Sequence, residues 1–91
     1  MVRVEVRLFA NLREAAEKES LFLEFQKAPT ISEVLEGLMG CSPRLKKLLT
    51  CDGGFNEHYK VLVGTEIIHP ENFSKVLDGL KIAVLPPVSG G

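Results

Sequence analysis

Apolar and charged residues alternate strictly from Val2 to Leu8, near the start of the chain. The apolar side chains share one face of an extended segment and the charged ones the other: Val2, Val4, Val6 and Leu8 against Arg3, Glu5 and Arg7. A two-residue period with β-branched side chains predicts a strand with one buried face. The same period returns over Leu21–Phe25 and predicts a second strand, which is able to pair with the first.

A helical period replaces this alternation in the middle of the chain. Thr30 and Glu33 have the spacing of a capping box, in which each side chain accepts a hydrogen bond from the other residue's backbone N–H. An apolar stripe with helical spacing follows: Ile31, Val34, Leu35 and Leu38. The pattern predicts the main helix of the fold. We expect this helix to end at Gly40 in the left-handed conformation.

Two shorter helices are predicted on either side of the main one. Asn11 is a favourable N-cap for a helix over Leu12–Lys18. Ser42 followed by Pro43 is typical of an N-cap and a first helical residue, and the leucines after them are expected to face inward. The Asp-Gly-Gly sequence at 52–54 then breaks the pattern, and we expect a mobile turn there.

The last third of the chain returns to strand patterns. Tyr59–Val63 and Glu66–Ile68 flank a Gly-Thr pair and resemble a hairpin, and Lys81–Leu85 forms a final strand. Strands at both ends with helices between them predict an α+β fold rather than alternating βαβ units. The order fits a β-grasp roll best, with one main helix packed across a mixed four- to five-stranded sheet. We assign residues 1–85 to this domain.

Composition narrows the choice of partners more than the choice of fold. The chain has 91 residues, 45% of them hydrophobic and 25% charged, with a net charge of −1. This balance is typical of one small globular domain and argues against nucleic acid or an anionic membrane as the main partner. The longest apolar run, Ile82–Leu85, is far too short to span a membrane. The chain opens on a strand pattern instead of a signal peptide, so we expect a cytoplasmic protein.

Cysteine and histidine residues predict no metal site and no internal catalytic site. Cys41 and Cys51 do not form a C-x-x-C pair, and we interpret both as reduced thiols. His58 and His69 lack the regular ligand spacing that a zinc site needs. Without a Cys-His or Ser-His-Asp pattern, we expect no cofactor bound by the chain itself and no active site of its own.

The C-terminal segment is the most informative part of the sequence. It follows the last predicted strand directly and consists of Pro86, Pro87, Val88, Ser89, Gly90 and Gly91. The two prolines favour an extended polyproline II path, and the terminal glycine pair is narrow enough for a channel that admits no side chain. Such a tail is typical of a carrier that presents its own α-carboxylate. A carboxylate is a poor electrophile, so we expect a partner that makes an acyl-adenylate from ATP.

At these residues the chain resembles the ubiquitin-like sulfur carriers of the β-grasp fold, in particular the small subunit of molybdopterin synthase. The ending Leu85–Gly91 is similar to that family's Pro-Pro-Val-Ser/Thr/Ala-Gly-Gly terminus nearly position for position. Val6–Glu14 resembles the family's first strand and the helix start after it, and Thr30–Leu35 resembles the start of its main helix. The resemblance therefore covers nearly the whole chain.

The resemblance implies a reaction sequence that partners carry out. A ubiquitin-activating-like adenylyltransferase would use ATP to adenylate Gly91, and a sulfur donor would convert the acyl group to a thiocarboxylate. The tail, residues 86–91, would then enter the large subunit of molybdopterin synthase, where sulfur passes to the pterin precursor. Gly90 would allow passage through the channel. On this hypothesis the chain is a carrier subunit without catalytic activity of its own.

Strand phase predicts a docking face near the root of the tail. In the first strand Val4, Val6 and Leu8 point inward, so the next residue, Phe9, lies on the charged outer side. In the last strand Ile82 and Val84 point inward, so Leu85 also lies on the outer side. Ile67 joins them, because it and Ile68 cannot both point inward in a regular strand. We expect Phe9, Ile67 and Leu85 to form an exposed apolar surface. The resemblance implies that this surface contacts the activating enzyme and the large subunit.

Three alternatives stay open from the sequence alone. A ubiquitin-like protein modifier would use the same tail to form an isopeptide bond between Gly91 and lysines of target proteins. A carrier for thiamine-type sulfur transfer would share the chemistry, although the Pro-Pro-Val-Ser ending argues against it. A purely structural interaction module would tolerate a blocked C terminus, which neither of the others would.

Overall fold

Strands lie at both ends of the chain and helices between them in the computed structural model, which describes residues 1–87. The strands are β1 (Val2–Leu8), β2 (Ser20–Phe25), β3 (Thr50–Cys51), β4 (Gly54–Phe55), β5 (Lys60–Val63), β6 (Glu66–Ile68) and β7 (Lys81–Leu85). The helices are α1 (Asn11–Ala16), α2 (Ile31–Cys41) and α3 (Pro43–Leu49), and a 3-10 turn covers Pro70–Asn72.

The main sheet is mixed and has the strand order β2-β1-β7-β5-β6. β1 and β7 are parallel, whereas β2 pairs antiparallel with β1, and β5 pairs antiparallel with both β7 and β6. β3 and β4 form a separate small hairpin around the predicted 52–54 turn. With α2 packed across the mixed sheet, this is the predicted β-grasp fold, and the pairing of β1 with β2 is confirmed.

The core lies between the helices and one face of the main sheet. Alternate residues of β1 and β7 are buried, as the sequence pattern predicts, and apolar residues of all three helices pack against them. The buried set is Val4, Val6, Leu8, Leu12, Ile31, Val34, Leu35, Leu38, Leu45, Leu49, Tyr59, Val61, Leu77, Ile82 and Val84. No charged side chain of residues 1–87 is buried with them. Apolar burial therefore dominates the stability of the core.

The main helix begins as predicted but ends differently. Thr30 N–H donates to Glu33 Oε1 (2.8 Å) and Glu33 N–H donates to Thr30 Oγ1 (3.1 Å), which confirms the capping box. The prediction that Gly40 ends the helix in the left-handed conformation was wrong, since α2 continues through it without a positive φ. Ser42 ends the helix instead, with extended backbone at φ −154°. The reason is steric, because the residue before Pro43 is disfavoured in the helical region.

The start of α1 also differs from the prediction. Ala10 is the N-cap, with φ 50°, and Asn11 is the first helical residue. The Asn11 side chain does not cap the helix but donates from Nδ2 to Tyr59 Oη at 2.9 Å. A partner so distant in sequence leaves no local signal. The helix ends before the predicted Lys18, because Glu17 adopts the left-handed conformation at φ 60°.

Two glycines of α2 make a matched test of this packing. A Cβ at Gly40 would meet no atom within 4 Å, so we expect Gly40→Ala to raise the free energy of unfolding by about 0.5–1 kcal/mol through helix propensity. A Cβ at Gly37 would lie 3.2 Å from Leu23 Cδ1 in β2, so Gly37→Ala should gain less. Denaturant unfolding of both variants measures the difference. A larger gain for Gly37→Ala would contradict the close approach of α2 to β2.

Candidate functional site

The face of the main sheet that points away from α2 carries an apolar row. Strand register places Ile67 opposite Leu62, Leu62 opposite Ala83, and Ala83 opposite Arg7. Directly opposed residues on one face of a sheet are close neighbours, so these side chains lie next to one another across β6, β5, β7 and β1. The three apolar members, Leu62, Ile67 and Ala83, are termed the outer row.

A tight turn sets the register of the outer row. Val63 pairs with Glu66, which leaves Gly64 and Thr65 as a two-residue hairpin loop between β5 and β6. Gly64 has φ 65°, a conformation that glycine adopts without steric cost at the first loop position. This loop length pairs Leu62 with Ile67 and turns both to the outer face.

The structure brings two of the three predicted docking residues to this face as exposed groups. Phe9 is 37% exposed and lines, with Leu62 and Ala83, a shallow depression of about 340 Å³. Ile67 is 49% exposed at the sheet edge. Leu85 lies on the same face, opposite Lys60, but is half-buried rather than exposed as predicted. β7 is a central strand, and Lys60 on β5 is the cross-strand neighbour that lies next to Leu85.

Leu62 is the central residue of the face, and sequence reasoning missed it. It lies between Ile67 on β6 and Ala83 on β7 and is half-buried by them. The signal was present in the predicted hairpin. A two-residue loop at Gly64-Thr65 pairs Leu62 with Ile67, so the two residues must share a face.

Basic side chains border the outer row. Arg7 lies beside Ala83, Lys60 lies opposite Leu85, and Lys81 precedes Ala83 on the same face of β7. The Arg7 guanidinium lies 5.9 Å from the centre of the Phe9 ring, within cation–π range. Within residues 1–87 none of these cations forms an ion pair, although Glu5 lies opposite Lys81 in the strand register. The border is therefore positive overall.

Phe22 and Leu80 are exposed apolar side chains that lie away from the outer row. Phe22 projects from the edge strand β2, and the Arg3 guanidinium covers its ring at 4.3 Å. Leu80 is 58% exposed in the turn before β7, where its backbone carbonyl accepts the Glu5 N–H at 2.8 Å. The charged residues of β1 separate Phe22 from the outer row. Leu62, Ile67, Ala83 and Phe9 thus form one surface and Phe22 does not belong to it.

The predicted tail begins at the end of the central strand. β7 is hydrogen-bonded to β1 on one side and to β5 on the other, so the backbone up to Leu85 is held firmly. Pro86 is half-buried and Pro87 is exposed. The predicted reacting end, Val88, Ser89, Gly90 and Gly91, lies outside the described residues. Its role, and the division of the chain into residues 1–85 and 86–91, stay predictions.

Other chemical groups of the described chain do not converge. Cys41 and Cys51 are both free and exposed. Within residues 1–87, no three His, Cys, Asp or Glu side chains are placed to hold a metal ion. No helix in this part of the chain is long and apolar enough to cross a membrane. The outer row with Phe9 and the root of the tail are the places where the structure brings predicted site residues together.

Strand order and packing define a ubiquitin-like β-grasp protein, with the last strand in the middle of the sheet and an apolar face beside it. Comparison with known proteins agrees with this class. The chain belongs to the ThiS family, which matches over residues 6–91.

Individual relatives carry two different functional names. Small archaeal modifier protein 3 of Haloferax volcanii is 33% identical over 92 residues, covering 99% of this chain and all of that protein. The molybdopterin synthase sulfur carrier subunit of Chlamydomonas reinhardtii is 25% identical over 99% of this chain and all of that protein. The solution structure of small archaeal modifier protein 1 from Methanosarcina acetivorans has a TM-score of 0.82 and 35% identity, covering 100% of this chain and 98% of that one.

Proposed function

We propose that the protein is a sulfur carrier that serves as the small subunit of molybdopterin synthase. Its Gly91 is adenylated, becomes a thiocarboxylate and donates sulfur to the pterin precursor. The observation that carries the proposal is a Pro-Pro-Val-Ser-Gly-Gly sequence directly after the central strand β7 in a chain of the ThiS family. The name of the Chlamydomonas relative supports the same role.

The chemistry needs a partner for each step. A carboxylate oxygen of Gly91 attacks the α-phosphorus of ATP, and pyrophosphate leaves. A sulfur donor at the oxidation level of sulfide then attacks the acyl carbon, and AMP leaves, so the thiocarboxylate forms without a net redox change. The chain supplies the carboxylate and a terminal Gly90-Gly91 pair without side chains, which allows close approach to the acyl carbon.

We infer that both partners dock on the outer row and Phe9. An apolar centre supplies most of the binding energy of an interface, and charges at the margin orient the partners. The positive border formed by Arg7, Lys60 and Lys81 therefore fits a partner surface with an apolar centre and carboxylates around it. Leu85 marks the margin nearest the tail. If the adenylyltransferase and the large subunit share this face, they bind in turn rather than together.

A protein modifier is the second candidate function. The Haloferax and Methanosarcina relatives are both named as modifier proteins, and both cover nearly the whole chain. The first step is the same as for the carrier, since an acyl-adenylate of Gly91 precedes either product. The two functions differ in the nucleophile that takes the acyl group, sulfide in one case and a target lysine in the other.

Intact-mass measurement separates the candidates. The full chain is incubated with the cognate adenylyltransferase, ATP and sulfide, and we expect the mass increase of one oxygen-to-sulfur exchange. The thiocarboxylated chain, mixed with the large subunit and the pterin precursor, should return to its original mass. Peptide mapping of tryptic digests of cell extracts for lysines that carry, as a remnant, residues 82–91, the segment after the last basic residue Lys81, tests the modifier. Remnants without any thiocarboxylate would contradict the carrier proposal.

A further inference from the structure

The segment that joins β1 to α1 has a strained backbone. Ala10 adopts φ 50° and ψ −125°, and the Leu12 N–H donates to the Phe9 carbonyl at 3.1 Å. These values describe a type II′ turn over Phe9–Leu12, with Ala10 at the position that glycine normally occupies. A side chain with a Cβ is disfavoured at that position, so the surrounding structure must hold the turn in place.

Two anchors hold the turn. Leu12, the last residue of the turn, is fully buried in the core, and this burial fixes the end of the turn that lies in α1. Asn11, which follows the strained residue, is exposed, but its Nδ2 donates to Tyr59 Oη at 2.9 Å. Tyr59 is only 7% exposed, and its own N–H donates to the Asn56 carbonyl at 3.0 Å. The Asn11–Tyr59 bond therefore connects a surface turn to a rigid part of the domain.

Phe9 is the first residue of the same turn and follows directly after β1. Its carbonyl accepts the turn hydrogen bond, and its ring contributes to the depression beside Leu62 and Ala83. If the backbone at Ala10 relaxed to a negative φ, the direction of the chain at Phe9 would change and the ring would leave this position. The strained turn and the exposed aromatic ring are thus parts of one arrangement.

We propose that Asn11 and Tyr59 are positioning residues: the hydrogen bond between their side chains holds the strained turn at Ala10 and thereby keeps Phe9 on the docking face. The inference rests on the proposed function, because it assigns these residues to recognition by the adenylyltransferase. The turn itself is testable without any partner.

Amide hydrogen exchange tests the turn. Tyr59→Phe keeps the buried ring and removes only the acceptor oxygen. We expect the Leu12 amide to exchange about fivefold faster, the factor that one typical net hydrogen bond is worth, while amides of β1 and β7 change little. Asn11→Ala should act in the same way and serves as a second variant on an exposed residue. Unchanged Leu12 exchange in both variants would overturn the positioning role.

Kinetics of adenylation test the link to docking. For Tyr59→Phe we expect the KM for the carrier to rise about fivefold, with kcat unchanged, because only encounter with the cognate adenylyltransferase is weakened. In a Phe9→Ala background the same substitution should have no further effect. Thr50→Val, which removes a hydroxyl that donates to the Lys46 carbonyl at 2.6 Å, is the matched control and should not change KM.

The outcomes separate this inference from the proposed function. Faster Leu12 exchange with an unchanged KM would overturn the docking role of the turn. Additive effects of Tyr59→Phe and Phe9→Ala would show that Tyr59 does not act through Phe9, and would overturn the inference as well. If the wild-type chain is not adenylated at all, the proposed function fails together with the docking role, while Leu12 exchange still decides whether the bond holds the turn.

Discussion

Deletion of Gly91 is expected to abolish thiocarboxylate formation completely while leaving the free energy of unfolding unchanged. In the proposed reaction the acyl carbon belongs to this residue, so its removal presents a Gly90 carboxylate one residue short of the adenylylation site. Addition of one residue after Gly91 should be equally damaging, since the reacting carboxylate would then lie one residue too far. Stability should not change, because the buried residues of the described chain end at Val84.

Intact mass after incubation with the adenylyltransferase, ATP and sulfide measures the loss, and thermal unfolding measures stability. A glycine inserted after Met1, whose side chain is 84% exposed, is the matched control for chain length and should be charged normally. Normal charging of the Gly91 deletion would show that the reacting group lies elsewhere, and the carrier proposal would have to be abandoned.

Leu62→Asp is expected to raise the KM of adenylation by about 100-fold without changing kcat. Leu62 lies at the centre of the outer row, where binding hot spots concentrate, and loss of a hot-spot contact costs 30-fold or more, about 2 kcal/mol. The new carboxylate would also have to be buried without a partner at the centre of the contact. We therefore expect a larger rise in KM for Leu62→Asp than for truncation of the same side chain to alanine.

Leu80→Asp is the matched control, since it makes the same chemical change at an exposed leucine outside the outer row. We expect its KM to stay within about twofold of the wild-type value, as is usual outside a binding hot spot. Because Leu62 is half-buried, the melting temperature of both variants must be measured to show that they are folded at the assay temperature. Equal KM values for the two variants would place the docking face somewhere else on the molecule.

Local patterns were sufficient to predict most of the fold. The alternation in β1, the capping box of α2 and the Ser42-Pro43 start of α3 each involve neighbouring residues, and all three are confirmed. The β-grasp arrangement followed from the order of these elements, since few folds place strands at both ends around one main helix. Gly40 was misjudged because Pro43 imposes an extended residue before it and thereby ends α2 without a glycine.

The docking face was predicted only in part, for a different physical reason. The alternation within one strand identifies which residues point outward, and it correctly predicted that Phe9 and Ile67 are exposed. Which outward residues touch depends on the strand order and register. Only the register of β5 with β6 is set locally, by the loop at Gly64-Thr65, whereas the pairing of β5 with β7 joins segments distant in sequence. The central position of Leu62 and the partial burial of Leu85 both result from pairing between strands. The Asn11–Tyr59 hydrogen bond could not be predicted for the same reason, because it joins residues that are distant in sequence.

The central position of β7 has a mechanical consequence for the proposed function, in which partners take up the C-terminal tail. A pull on the chain beyond Leu85 acts along the strand, and its hydrogen bonds to β1 and to β5 resist that pull side by side. The hydrogen bonds on both sides of β7 are loaded in shear, so many of them must break at once instead of one after another. Forced unfolding is governed by the rate at which this barrier is crossed. On the proposed function, we therefore expect a partner to release the tail without unfolding the domain.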